Sequence, residues 1–377
     1  MKVVIAMDSL KGTISAVEAC ERIRDAIHSV APDVETVLLP MADGGEGTAS
    51  ALMTARSGEW IPCKAMGPLP EQQVDAGFVW FAEDQTAVIE MASASGIMLL
   101  TEDQLNPLKT TTYGTGECMR AALDYGARRI ILAVGGSATV DGGVGAAMAL
   151  GWQFLNEANE PIGLGGEGLR EIARIVPPEQ RVAVPVEVLC DVNNPLTGPD
   201  GAAAVFGPQK GATPAMVGQL DEGLRHWADC ARQQLDVEID HVPGAGAAGG
   251  LSAGMIACAD AKLVPGIDTV MEASGLRAAL ADADWVISGE GRFDEQSLRG
   301  KVVSGVLRMA QGTDAKVGVI AGSVQVPESI CREAGLTFAW AAAPDGVPLQ
   351  EVLKSAKEDL SAAARRFAQT YLLPNKE

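Results

Sequence analysis

The chain has 377 residues, which suits two domains, and its 47% hydrophobic content against 4% aromatic describes a globular α/β protein with an aliphatic core. A formal charge of −20 argues against nucleic acid as a partner, because proteins that bind it carry a basic footprint. Seven cysteines without a Cys-x-x-Cys pair and three scattered histidines offer no zinc spacing, and no apolar run has the length of a signal peptide or membrane span. A cytoplasmic protein that touches no membrane is expected.

Lys2–Met7 reads as a strand closed by Asp8-Ser9, followed by helical spacing through Ala16–Val30 and a second strand at Val34–Leu39. This is a βαβ unit whose first loop carries Asp8, Ser9 and Lys11. Next comes Ala-Asp-Gly-Gly-Glu-Gly-Thr, Ala42–Thr48, a loop that mixes glycine with carboxylate and hydroxyl. Residues 59–90 alternate in short segments that suit antiparallel strands. Thr111–Glu117 repeats the glycine–acid–hydroxyl mixture, and helical stretches are expected at Glu117–Tyr125 and Gly142–Leu150.

The densest such loop is Gly-Gly-Ser-Ala-Thr-Val-Asp-Gly-Gly, Gly135–Gly143, which follows the apolar run Ile130–Val134. Its glycines let backbone N–H groups approach an anion, and Ser137 and Thr139 add hydroxyl donors. Asp141 would repel phosphate unless a hard cation lay between; a solvated loop carboxylate is the plainer alternative. After an expected strand at Val184–Leu189, Asp191 stands where a metal ligand or base could act, and Asn193 where a substrate oxygen could be bound. An Asx turn before Pro195 explains the same residues structurally. Lys210 lies in a turn ahead of an expected helix at Pro214–Leu235.

Gly244-Ala-Gly246-Ala-Ala-Gly249 matches dinucleotide spacing but follows a segment broken by charges and Pro243. Toward the C-terminus the strand–helix rhythm returns: Trp285–Ser288, Val302–Gln311, Lys316–Ile320, Glu328–Ala334, Thr337–Ala342 and Leu349–Thr370. Gly289–Asp294 and Gly300-Lys301 interrupt it with a fourth loop of glycine, acid and cation. Clean alternation predicts a parallel sheet with helices on both faces. We therefore expect a doubly wound, Rossmann-like domain from residues 1–45 and 280–377, with a mixed α/β domain inserted at 46–279 and the active site in the cleft.

From the residues alone, Asp43, Asp191 and Asp294 form a pool for metal ligation and for taking a hydroxyl proton. Lys11, Lys210, Arg292 and Lys301 form a second pool for phosphate or a substrate carboxylate. Gly44, Gly45, Gly135, Gly136, Ser137 and Thr139 supply an anion cradle. Nothing resembles a Ser-His-Asp or Cys-His arrangement.

In order and spacing, Met1–Lys11, Ala42–Thr48, Glu90–Gly96, Asn106–Glu117, Gly135–Gly143, Cys190–Pro199, Val205–Thr213, Pro243–Gly250 and Gly289–Lys301 together resemble the bacterial type I glycerate kinase family. One local departure is Met7-Asp8-Ser9-Leu10, where relatives usually have Pro-Asp-Ser-Phe. The resemblance implies two α/β domains and transfer of the γ-phosphoryl group of ATP to D-glycerate with Mg²⁺, giving 2-phosphoglycerate. From their positions in these loops, Asp191, Asp294 and Lys11 are expected in catalysis, with Asp8 and Ser9 among the substrate- or phosphate-binding residues. Regiochemistry and oligomeric state stay open, a homo-oligomer included. Two other classes remain alternatives: an NAD-dependent oxidoreductase of a small hydroxy acid, and a non-catalytic binder of such an acid.

Overall fold

The computed structural model describes every residue except 11–12, 43, 45–46, 299–300, 345–346, 348 and 374–377. The interior strand Lys2–Met7 has no exposed side chain from Val3 to Met7, which requires cover on both faces. Its neighbours come from opposite ends of the chain. Glu35–Leu38 pairs with it on one side and Trp285–Gly289 on the other, both parallel. Lys316–Ala321 and Leu336–Ala341 extend the same sheet, again in parallel. In chain order the five strands run 2-1-3-4-5 across the sheet, the flavodoxin-like doubly wound arrangement.

Val3, Ile5 and Met7 pack toward helices Ala16–His28 and Leu349–Phe367 in a core that includes Trp285, Phe338 and Phe367. The first helix starts where Ser15 accepts a hydrogen bond from Glu18 N at 3.2 Å, and its buried stripe is Ala19, Cys20, Ile23, Ala26 and Ile27. Helix Val302–Ala310 packs on the Trp285–Gly289 and Lys316–Ala321 strands.

This first compact unit comprises residues 1–43, 50–57 and 267–377; the second comprises 44–49 and 58–266. The division departs from the expected boundaries at 45/46 and 279/280. Thr48–Arg56 is a helix, unmarked by any strong apolar period, and most of it belongs to the first unit. Helices Gly266–Ala273 and Leu276–Leu280, too short to announce themselves, bring the last crossing forward to 266/267.

The second unit holds a six-stranded sheet in the order Lys262–Val264, Val186–Leu189, Arg129–Ala133, Thr86–Glu90, Gln73–Phe81 and Glu59–Met66. The first four strands are parallel, and the last two join antiparallel. Lys262–Val264 went unpredicted because three residues carry no period. Helix Pro214–Leu235 begins at Thr213, whose hydroxyl accepts from Met216 N, with Pro214 at the first helical position. Trp227 from this helix is fully buried and meets Phe154 edge-on at 5.3 Å.

The glycine run near residue 244 serves packing. A Cβ on Gly246 would lie 2.2 Å from Pro195 O, and one on Gly249 (φ +68°) 1.9 Å from Thr139 O. Ala248, Gly249 and Gly250 all take positive φ inside the element Ala247–Ala259, and no described residue from 236 to 246 is in a strand. The strand–turn–helix context of a dinucleotide fingerprint is missing, so the glycines bring backbones together and do not frame a pyrophosphate. No described helix is long and apolar enough to cross a membrane.

Candidate functional site

The parallel strands of the first unit end at a pocket of about 640 Å³. Asp8 and Ser9 follow the strand Lys2–Met7, Glu290 to Asp294 follow Trp285–Gly289, and Ser323 and Val324 follow Lys316–Ala321. Strand order reverses between the first two of these strands, the place where open α/β sheets bind their ligands. The walls are held by backbone: Asp8 N donates to Gly289 O at 2.9 Å, and Arg292–Phe293 pairs in parallel with Ser323–Val324. Gly289 is required there, since a Cβ would fall 1.8 Å from Ile320 O.

Sequence reading nominated Asp8, Ser9, Arg292, Asp294 and Lys301, and the structure places all five on this pocket. Arg292 donates to Asp294 Oδ2 through Nε at 3.0 Å and Nη2 at 2.7 Å. Gln296 N donates to Asp294 Oδ1 at 3.0 Å. Chiefly through the Arg292 guanidinium, the Asp294 carboxyl sits below its ordinary range. Asp8 Oδ1 accepts from Ser9 N at 2.6 Å.

Sequence reasoning passed over Glu290 as an individual residue. It is 7% exposed, lines the pocket, and its Oε1 is buried without a hydrogen-bond partner. Its other oxygen lies 3.6 Å from Lys301 Nζ. Burial pushes this carboxyl up, with Ser297 and Lys301 pulling the other way. The available signal was its place between two glycines directly after a strand with no exposed residue.

The second unit carries a comparable set of loops at the carboxyl ends of its parallel strands. Glu90 ends Thr86–Glu90, Gly135 to Gly143 follow Arg129–Ala133, and Asp191 follows Val186–Leu189. Gly135 and the exposed Gly136 form the loop tip; Gly136 O accepts from Ile97 N at 2.8 Å. Asp141 is only 1% exposed and faces protein donors. It accepts from Thr112 N at 2.7 Å, Thr112 Oγ1 at 2.9 Å, Thr111 Oγ1 at 3.2 Å and Gly143 N at 3.1 Å. Helices Tyr113–Tyr125 and Val144–Ala149 start beside those donors, so the carboxylate caps two helices. Neither the metal nor the solvated reading of Asp141 describes this.

Lys210, also nominated for phosphate, is 1% exposed. Its Nζ donates to Ser137 Oγ at 2.6 Å and Thr139 O at 2.7 Å, which ties down the loop after Arg129–Ala133. Burial lowers its pKa to about 7, against the pull of the Asp141 charge. Ser137, Thr139 and Lys210 are thus brought together, with the ammonium engaged by protein. Thr139 Oγ1 is buried without a partner.

Asp191 is exposed, and its Oδ1 accepts from Gly266 N at 3.0 Å. Gly44, at φ +82°, sits beside it: a Cβ there would be 3.0 Å from Leu189 Cβ and 3.8 Å from Asp191 Oδ2. Glu90 Oε1 accepts from Ala49 N at 2.7 Å, which fixes the end of the same short segment. Asn193 is exposed beyond Asp191. Lys11, Asp43 and Gly45, three further nominees, lie outside the described residues.

Residues 3–372 match the family model of the glycerate kinase family. A glycerate kinase of Halalkalibacterium halodurans is 45% identical over 97% of each chain. The glycerate 2-kinase of Escherichia coli K12 is 40% identical over 98% of each. A crystal structure from Salmonella typhimurium LT2, provisionally named glycerate kinase 2, superposes with a TM-score of 0.87 at 42% identity, covering 98% of both chains. Matches of this extent and identity show that the chain belongs to the glycerate kinase family.

Proposed function

We propose that the chain transfers the γ-phosphoryl group of ATP to the 2-hydroxyl of D-glycerate, giving 2-phosphoglycerate and ADP. Family membership supports kinase chemistry on glycerate, and the name of the Escherichia coli relative supports the 2-position. The observation that carries the reading on this chain is the first unit's pocket, where Glu290 Oε1 is buried without a partner beside Asp8, Asp294, Arg292 and Lys301. A buried carboxylate oxygen left unpaired is costly, and a cation-bearing ligand would offset that cost.

The donor set fits Mg²⁺, which prefers carboxylate and phosphate oxygens. Among the described residues no three acidic, His or Cys side chains converge on one point. Mg²⁺ is commonly held by one or two carboxylates plus substrate phosphates and waters. Glu290 and Asp294 would hold it, and bound there it would neutralise charge building on the phosphate oxygens. Arg292 and Lys301 bring positive charge to the same wall, and Arg292 also fixes the Asp294 carboxylate. Phosphoryl transfer asks for such positioning and charge compensation more than covalent work by the protein.

The test is a coupled ADP-release assay with Mg-ATP and D-glycerate, with the product identified by ³¹P and ¹³C NMR. ADP and 2-phosphoglycerate are expected. Absence of ADP release would remove the kinase reading, and a 3-phosphoglycerate product would remove the 2-position.

A further inference from the structure

The pocket in the first unit is lined by two unlike sets of residues. Besides the charged Glu290, Arg292, Asp294 and Lys301, it carries the apolar Leu10, Val324, Ala341, Val352, Leu353 and Ala356. Leu353 keeps 44% of its surface exposed, although it lies on helix Leu349–Phe367, whose other face enters the core. Val324 and Val352 are half-buried beside it. We infer that this apolar set receives the purine base of the nucleotide, whose phosphates then reach toward Arg292 and Lys301. The inference rests on the kinase reading and adds to it which part of which substrate the pocket takes.

Size separates the two substrates. Even if each of its seven non-hydrogen atoms took the ~30 Å³ of a water molecule in the liquid, glycerate would fill no more than about 200 Å³. The pocket, at about 640 Å³, would be left mostly empty by it. Chemistry separates them as well. Glycerate is polar at every carbon and gains nothing from valine and leucine side chains. A purine offers flat, weakly polar faces whose burial removes apolar surface from water on both partners. The small Ala341 and Ala356 leave room for a flat ring, and the charged residues that a phosphate chain needs line the same pocket. The site is also the strand-order reversal of an open parallel sheet, where ligands characteristically bind.

The experiment is isothermal titration of the full chain with two probes, Mg-ADP and Mg-tripolyphosphate. It uses the wild type, Leu353→Ser at an exposed position, and Ala356→Leu, which would fill the apolar lining from inside. Loss of apolar contact with the base should weaken Mg-ADP binding roughly 5–10-fold in Leu353→Ser, with Mg-tripolyphosphate unchanged. Ala356→Leu should weaken Mg-ADP at least as much. If Ala356→Leu does not fold, Leu353→Ser decides. Wild-type binding of Mg-ADP with no change in Leu353→Ser overturns the inference while leaving the kinase reading intact, and equal weakening of both probes also overturns it. A wild type that neither binds Mg-ADP nor releases ADP from Mg-ATP with D-glycerate overturns the kinase reading itself.

Discussion

The two units place the same kind of loop at the same kind of position, yet they use its polar groups differently. Glycine, carboxylate and hydroxyl follow parallel strands in both. In the second unit, Asp141 accepts from Thr111, Thr112 and Gly143, and Lys210 donates to Ser137 and Thr139, so the charges are absorbed by the chain's own backbone and hydroxyls. In the first, Glu290 lines an open pocket and its Oε1 is buried without a hydrogen-bond partner. The difference teaches that motif composition marks where polar groups gather, while hydrogen-bond accounting shows which of them are left for a ligand.

The largest expected effect tests whether chemistry is confined to the first unit. Asp294→Asn and Asp191→Asn should each lower kcat by about 10²–10⁴-fold, the range for loss of a group that moves a proton or supports charge in the transition state. Steady-state kinetics with melting temperatures checks this. Normal turnover in Asp191→Asn would restrict the chemistry to the pocket, and normal turnover in both would return these residues to turn-forming roles.

Asp141→Asn should do the reverse. Asparagine presents an NH₂ group to donors and loses charge-assisted bonds, so urea denaturation should show about 2–3 kcal/mol of destabilisation. Turnover per folded molecule should stay near the wild type. A stable variant with collapsed kcat would move Asp141 into the chemistry.

A smaller effect concerns Lys210. Its folded pKa of about 7 lies below the ordinary 10.5, so between those values the unfolded chain binds more protons. Its contribution therefore makes stability rise with pH across that window. In Lys210→Met this rise should disappear from denaturation curves collected at successive pH values. An unchanged pH profile would show that the ammonium is better compensated than its burial implies.

Much of the fold was legible because strand and helix periods are written locally. Helix Pro214–Leu235 was legible in full, and the alternation at both ends of the chain implied the parallel sheet that the pairing of Lys2–Met7 with Trp285–Gly289 displays. The Thr48–Arg56 helix was not legible, since its place depends on which unit receives it. At the site, the loops could be found, but the state of their side chains could not. Thr112 and Asp141 lie 29 residues apart, and Lys210 reaches 73 residues back to Ser137. Whether Asp141 or Glu290 is satisfied is decided by such distant partners, which no local pattern encodes.

The central claim, that the first unit's pocket holds the metal-bearing substrate through Glu290, is tested most directly by turnover against free Mg²⁺ concentration. Wild type, Glu290→Gln and Asp141→Asn are compared at equal folded concentration and saturating ATP and D-glycerate. Glu290→Gln should fold normally and need at least roughly 10-fold more Mg²⁺ for half-maximal turnover, the cost of one lost charged ligand contact, while Asp141→Asn should superimpose on the wild type. A Glu290→Gln curve identical to the wild type, or a shifted Asp141→Asn curve, would contradict that claim.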